Sequence, residues 1–269
     1  MVIQPDDEAF EHRDRWESMV YCMKALRPLV PETLIEADGM NGDSTGLRSV
    51  LDLIDVLNYH DGPFLKRGVY DGPGWKKFKA ELDAKGKQIW YYNVDHTGYH
   101  PEAGRFSFGF MVWENNVPGM FNWLLYKGGR KDPYQGANDL NGYNWMYRFL
   151  PTDKEVGGPT TQWEAIREGV DDLRYLYTWK ALADKAKKSG NSDLVKWIKG
   201  TEVELQSWMD EIDYSKWNKG PYRGKWTTTD PESKIFKGKF KMQGVWELDR
   251  YNYMRRQIAD WIMKLQTSV

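Results

Sequence analysis

The sequence predicts an α/β fold: a (β/α)8-barrel-like parallel sheet, truncated to its last five β/α units and followed by C-terminal helices. Three observations predict it. Five short apolar runs (Val2–Gln4, Thr33–Ala37, Asp55–Tyr59, Gln88–Val94 and Met120–Tyr126) recur at intervals of about 25–35 residues. Amphipathic segments fill the intervals, and strand, crossover, strand is the unit that builds a parallel sheet. Beyond residue 160 the pattern becomes helical only. A closed barrel takes eight strands, and the first of these five begins almost at Met1. The expected division is therefore 1–130 as a partial barrel holding strands about 4–8, 131–160 as a long ordered loop, and 161–269 as a helical region packed on the barrel.

The elements follow in order. Pro5 ends the first run, and a helix is expected over about 11–27, with Trp16, Val20, Met23 and Leu26 on one stripe. Pro28 and Pro31 close it. The run Thr33–Ala37 leads to Asp38 and Gly39, and residues 40–46 carry the Gly, Asn and Asp of a turn. Leu47, Val50, Leu51 and Ile54 give a short amphipathic helix before Asp55–Tyr59. Pro73 suits a first helical turn. Trp75, Phe78 and Leu82 form that helix's inner face, and Gly86 suits its C-terminal cap. Gln88–Val94 follows, then a crossover in which Phe106, Phe110 and Trp113 recur at helical spacing, then Met120–Tyr126. Residues 127–160 are rich in Gly, Asn and Pro. A capping box, Thr161 with Glu164, opens a helix to about Lys188 along Trp163, Ile166, Val170, Leu173, Leu176 and Tyr177. Another helix spans about 191–213 (Leu194, Trp197, Ile198, Val203, Leu205, Trp208). The last spans about 245–265 (Trp246, Leu248, Tyr251, Met254, Ile258, Trp261, Ile262, Leu265).

Composition excludes several functions. The net charge is −1, with 38 basic and 39 acidic residues interspersed, so no nucleic-acid-binding face is indicated. One cysteine, Cys22, rules out an intrachain disulfide and a Cys-rich metal site. No apolar run approaches the roughly 18 residues of a membrane span, and the first residues lack the basic and apolar regions of a signal peptide. No GxSxG, HExxH, GxGxxG or P-loop occurs. His60, His96 and His100 are not aligned by any helix, since Gly98 and Pro101 interrupt the last two. Neither metal nor cofactor is expected.

The 14 Trp are the compositional outlier. Most serve to pack a core. Those at strand ends also suit sugars, whose apolar faces stack on rings. Trp90, Tyr92 and Asn93 end one strand, Asn58 and Tyr59 another, and Trp123 lies in the last. Carboxyl ends of parallel strands are where α/β folds place ligands, so these six are the candidate substrate-binding residues. Asp7 and Glu8 follow the first strand, and there one carboxyl can protonate a leaving oxygen while its neighbour holds a substrate group. The same acids would equally suit the positive N-terminal end of the helix that follows.

Together the Asp7-Glu8 pair, WYYN at Trp90–Asn93, the apolar GMFNWLLY run and the helix-opening GPTTQWEAIREGVDDLRYLYTWKALA resemble the catalytic domain of glycoside hydrolase family 123 and its uncharacterised relatives. The likeness covers roughly residues 3–185, and Ile166, Arg167, Gly169, Asp172, Tyr175 and Leu176 fit a run typical of that group. What the resemblance implies is a bacterial (β/α) barrel that releases β-linked N-acetylgalactosamine by substrate assistance. In that scheme the sugar's own acetamido oxygen is the nucleophile. It also implies Glu8 as acid/base and Asp7 as the residue that orients the acetamido nitrogen. Ala9 stands where the relatives usually have Pro.

The expected function is thus a glycoside hydrolase acting on β-linked glycans. The alternatives are a non-catalytic carbohydrate-binding protein on the same scaffold and an unrelated α/β enzyme that uses a carboxylate. The expected partner is a carbohydrate, with self-association through unpaired strand edges if three strands are missing.

Overall fold

The structure is a computed structural model that describes residues 2–3, 13–39, 50–60, 73–93, 101–122, 161–212 and 246–268. The chain is α/β. It comprises β1 (Val2–Ile3), α1 (Arg13–Leu26), β2 (Leu34–Gly39), β3 (Val56–His60), α2 (Pro73–Ala84), β4 (Gln88–Asn93), α3 (Pro101–Phe108), α4 (Phe110–Asn115), β5 (Gly119–Asn122), α5 (Thr161–Lys187), α6 (Ser192–Met209) and α7 (Leu248–Ser268). All five strands are parallel, and their order across the sheet is their order in the chain. Two compact units result. One is Met1–Asp95 with Val117–Trp123, and the other is His96–Asn116 with Leu124–Val269. The helical unit thus takes in a segment that sequence order places among the strands.

In the sheet unit, burial alternates along β4, whereas β2 and β3 are buried on both parities, with Glu36, Val56 and Asn58 on the second. Ile35, Ala37, Leu57, Ile89 and Tyr91 are buried along one parity of β2, β3 and β4. Met19 and Met23 are buried on α1 and Phe78 and Leu82 on α2. Val20 and Leu26 are half-buried, so the inner stripe of α1 is displaced from the one expected. Methionine occupies it because a flexible thioether fills irregular gaps. Gly86 has a φ of +66°, which only glycine adopts without strain. Its N–H donates to the Asp83 carbonyl and that of Lys87 to the Leu82 carbonyl, closing α2 as a Schellman motif.

Asp55 precedes β3 rather than starting it. Its Oδ2 accepts from Arg27 Nη2 at 2.5 Å and from the Ile35 N–H at 2.8 Å. Arg27 also donates to the Leu53 and Thr33 carbonyls. One ion pair thus ties the end of α1 to the amino-terminal ends of β2 and β3, the end of such sheets given to stability.

The helical unit is built on heptad stripes. Ala165, Gly169, Asp172, Leu176, Trp179, Ala183 and Ala186 are buried along α5 at alternating spacings of four and three. Of the expected stripe only Leu176 lies in this seam: Trp163 and Tyr177 are exposed, and Ile166, Val170 and Leu173 are only half-buried. Small residues form the seam because other helices approach closely. A methyl group on Gly169 would lie 2.4 Å from the Arg105 carbonyl oxygen, and one on Gly109 would lie 2.8 Å from that of Gly169. Gly109 divides the expected single crossover helix into α3 and α4. Glu164 accepts from Arg167 Nε at 2.8 Å, and Thr161 is already helical, its side chain outside the described residues. On α6, Asn191 is the N-cap, its side chain accepting from the Leu194 N–H at 3.1 Å. Leu194, Ile198, Thr201, Leu205 and Trp208 are buried there, whereas Val203 is exposed. Tyr251, Met254, Ile258, Trp261, Ile262 and Leu265 are buried on α7 as expected, with Leu248 exposed. Trp208 stacks on Trp261 at 5.3 Å.

A charged cluster is sealed into this core. Arg105 grips Asp172 through Nε at 2.6 Å and Nη2 at 3.1 Å and reaches Asn252 Oδ1 at 2.9 Å. Arg255 donates to Asp172 at 2.6 Å and to the Glu168 carboxylate at 2.5 Å. The Asp172 side chain is fully buried and that of Arg105 nearly so. Burial raises the Glu168 carboxyl, but hydrogen bonding and charge from Arg255, then Arg167 and Arg105, outweigh it and hold the group below its ordinary range. Burial, with Asp172 nearby, pushes the Tyr251 phenol well up, and its hydroxyl donates to the Glu102 carbonyl at 3.0 Å.

Candidate functional site

The sheet's polar side is the place to look. Register brings Asp38, Asn58, Trp90 and Gly119 into one row across β2, β3, β4 and β5. One row nearer the amino ends lie Glu36, Val56 and Gln88. In a parallel sheet, register partners project to the same side, and the side alternates along each strand. The parity that carries Ile35, Leu57, Ile89 and Tyr91 is apolar; the other carries Glu36, Asn58, Gln88 and Trp90.

Gly119 explains the posture of Trp90. A side chain at 119 would stand 3.0 Å from Cγ of the indole. With hydrogen there, the Trp90 ring lies 5.2 Å from that of Phe121, tilted by 33°, and its Nε1 donates to Gln88 Oε1 at 3.2 Å. Phe121 is 44% exposed and Trp90 half-buried. Two rings therefore form a partly open apolar surface. Asn58, one strand away, is buried, and its Oδ1 accepts no hydrogen bond among the described residues. An unmet buried acceptor costs about 1–3 kcal/mol, which a ligand hydroxyl or amide N–H can recover. Glu36 is buried on the same parity.

No family model, curated protein or solved structure matches this chain. The site is read on its own chemistry.

Of the candidate residues, Asn58 and Trp90 come together as register neighbours. Tyr59 pairs with Tyr91, Tyr92 with Phe121, and Asn93 with Asn122 at the carboxyl ends of the strands; the side chains of Tyr59, Tyr92 and Asn93 lie outside the described residues. So do Asp7, Glu8 and Trp123 altogether. Sequence reasoning missed Glu36, Phe121 and the role of Gly119. A signal for Glu36 was present: Leu34, Ile35, Glu36, Ala37 and Asp38 alternate acid with apolar residue from Ile35 onward. His60 ends β3, and His96 and His100 are outside the described residues. Among the described residues no group of three or more His, Cys, Asp or Glu is placed to hold a metal ion, and no helix is long and apolar enough to cross a membrane.

Proposed function

We propose that this protein is a glycoside hydrolase acting on β-linked, N-acetylhexosaminyl-type glycans. The observation that carries the reading is the row Asn58–Trp90–Gly119, with the Trp90–Phe121 surface beside it. A sugar ring offers an apolar face to stack and polar groups to bind, and this row sets rings beside a buried amide acceptor. Glu36 adds a carboxylate on the same parity. Glu8 is the acid/base and Asp7 orients the acetamido group, the roles implied by the family 123 resemblance. Both follow β1, which runs parallel to β2 in register Val2–Leu34 and Ile3–Ile35. Substrate assistance then needs one proton donor at the leaving oxygen and one acceptor at the acetamido N–H.

The finer architecture belongs to the same proposal: the five strands are about the fourth to eighth of a (β/α)8 barrel. Strand order equal to chain order supports it, since a doubly wound sheet reverses order at a switch point. An experimental structure with helices covering both faces of the sheet would refute it.

Hydrolysis of chromogenic β-N-acetylgalactosaminide and β-glycoside panels tests the activity. Glu8→Gln is expected to lower kcat about 10²–10⁴-fold, the range for a lost general acid. Equal turnover by the variant overturns the assignment of the acid. The open Trp90–Phe121 surface also favours a second reading, carbohydrate binding without turnover. Calorimetric sugar binding that Trp90→Ala weakens, with no panel member hydrolysed, selects it.

A further inference from the structure

Trp90 is seated by three neighbours within the sheet unit. Its register partner Gly119 leaves room for the ring, since a methyl group there would stand 3.0 Å from the indole Cγ and 3.1 Å from Cδ1. Phe121 flanks it, centroid to centroid at 5.2 Å. Gln88, two residues back along β4 and on the same parity, accepts from the indole Nε1 at 3.2 Å through Oε1. A ring fixed before its ligand arrives loses less freedom on binding.

The same hydrogen bond orients Gln88. A carboxamide carries an acceptor oxygen and a two-proton donor nitrogen on opposite prongs of one plane. With Oε1 turned to the indole, Nε2 is the prong turned away from it. Gln88 is exposed, and no other hydrogen bond occupies its side chain among the described residues. Beside the seated ring there is therefore a neutral group that donates and cannot accept. A hydroxyl is matched by a donor or by an acceptor, whereas a carbonyl oxygen is matched by a donor alone.

We propose that Gln88 is a specificity-determining residue for N-acylated sugars. Its Oε1 seats Trp90, and its Nε2 donates to the acyl carbonyl oxygen of a sugar stacked on that ring. The inference rests on the proposed stacking of a sugar on Trp90. It adds a residue and a preference, N-acetylgalactosamine over galactose. In the glycosidase reading Asp7 holds the N–H of the same acylamino group. The carbonyl oxygen keeps its second lone pair for the attack assigned to it there.

Two measurements on the full chain test it. One is calorimetric titration with the methyl β-glycosides of N-acetylgalactosamine and of galactose. The other is the NMR resonance of the Trp90 indole N–H, identified by its loss in Trp90→Phe. Native protein is expected to bind the acylated sugar more tightly. Gln88→Glu keeps an acceptor for the indole and loses both donated protons. It is expected to weaken the acylated sugar about three- to tenfold, the loss of one hydrogen bond. Galactose affinity and the protection of the indole N–H from solvent exchange stay as in the native chain. Gln88→Leu removes the seat as well, so the resonance shifts and exchanges faster, and both sugars bind more weakly. Melting temperatures are expected to be unchanged, because Gln88 is exposed. Three results overturn the proposal and leave sugar stacking on Trp90 standing: equal native binding of the two sugars, a preference untouched by Gln88→Glu, or an indole resonance indifferent to Gln88→Leu. Binding of neither sugar by the native chain overturns the stacking itself and this inference with it.

Discussion

Glu168 receives an Arg167 nitrogen on one carboxylate oxygen and an Arg255 nitrogen on the other, each at 2.5 Å. Its folded pKa is depressed because these cations outweigh the cost of burial. A depressed carboxyl favours the folded state wherever it is ionised. That contribution is complete above the ordinary glutamate pKa of about 4.3 and is lost as pH falls through the lower folded value. Chemical denaturation between pH 7 and pH 3 is therefore expected to show a steeper acid limb for the native chain than for Glu168→Gln; identical limbs would refute the linkage. How much of such residue-scale detail was legible differs from case to case. Asn58 and Trp90 were legible as strand residues, but they are register neighbours in mid-strand rather than at the strand ends expected of them. Glu36 was half legible, since its alternation with Ile35 and Ala37 is plain once a strand is assumed. Asp172 and Arg105 as core residues were not legible. Hydrophobic periodicity counts apolar side chains, and a buried ion pair occupies two core positions that the count reads as surface.

At the scale of elements, existence and type were legible, while inner faces were less so. Pro73 and Gly86 marked the ends of α2, and runs rich in branched and aromatic residues marked the strands. On α5 the stripe was largely misassigned because, apart from Leu176 and Trp179, the seam is made of Ala, Gly and Asp. Close approach selects small residues there, and the large rings Trp163 and Tyr177 are left outside. Two glycines of this unit give opposite predictions. Gly169 faces the Arg105 backbone, with 2.4 Å of room for a methyl group, and backbone cannot swing away as a flexible side chain would. Gly169→Ala is expected to force α3 from α5 and to destabilise by about 1–3 kcal/mol, the range for overpacking. Gly200 on α6 has nothing within 4 Å of the place a methyl group would take and is exposed. Gly200→Ala is expected to stabilise by roughly 0.8–1 kcal/mol through helix propensity. Urea titration of both variants checks the pair. Equal effects would mean that the α3–α5 crossing is not the close one described.

For the whole molecule, the partition into units was the least legible feature. Arg105 and Asp172 are 67 residues apart, and Arg105 and Asn252 are 147 apart. Local patterns carry no information at such separations. The consequence is testable. Removing 1–160 leaves α5, α6 and α7 without α3 and α4. Asp172 then keeps Arg255 but loses its two hydrogen bonds from Arg105. Breaking a buried ion pair costs about 3–5 kcal/mol. Phe106 and Phe110 leave as well; both are fully buried, packing edge-on to Trp246 at 5.6 and 5.1 Å. Each buried ring contributes about 1.5–3 kcal/mol. The combined loss is comparable to the 5–15 kcal/mol that stabilises an ordinary domain. Residues 161–269 alone are therefore expected to be helical by circular dichroism yet to melt without a cooperative transition. Residues 96–269 are expected to melt cooperatively. A sharp transition in the shorter piece at the temperature of the longer one would show that α5, α6 and α7 hold together on their heptad seams, with the Arg105 clasp an addition to a core already sufficient.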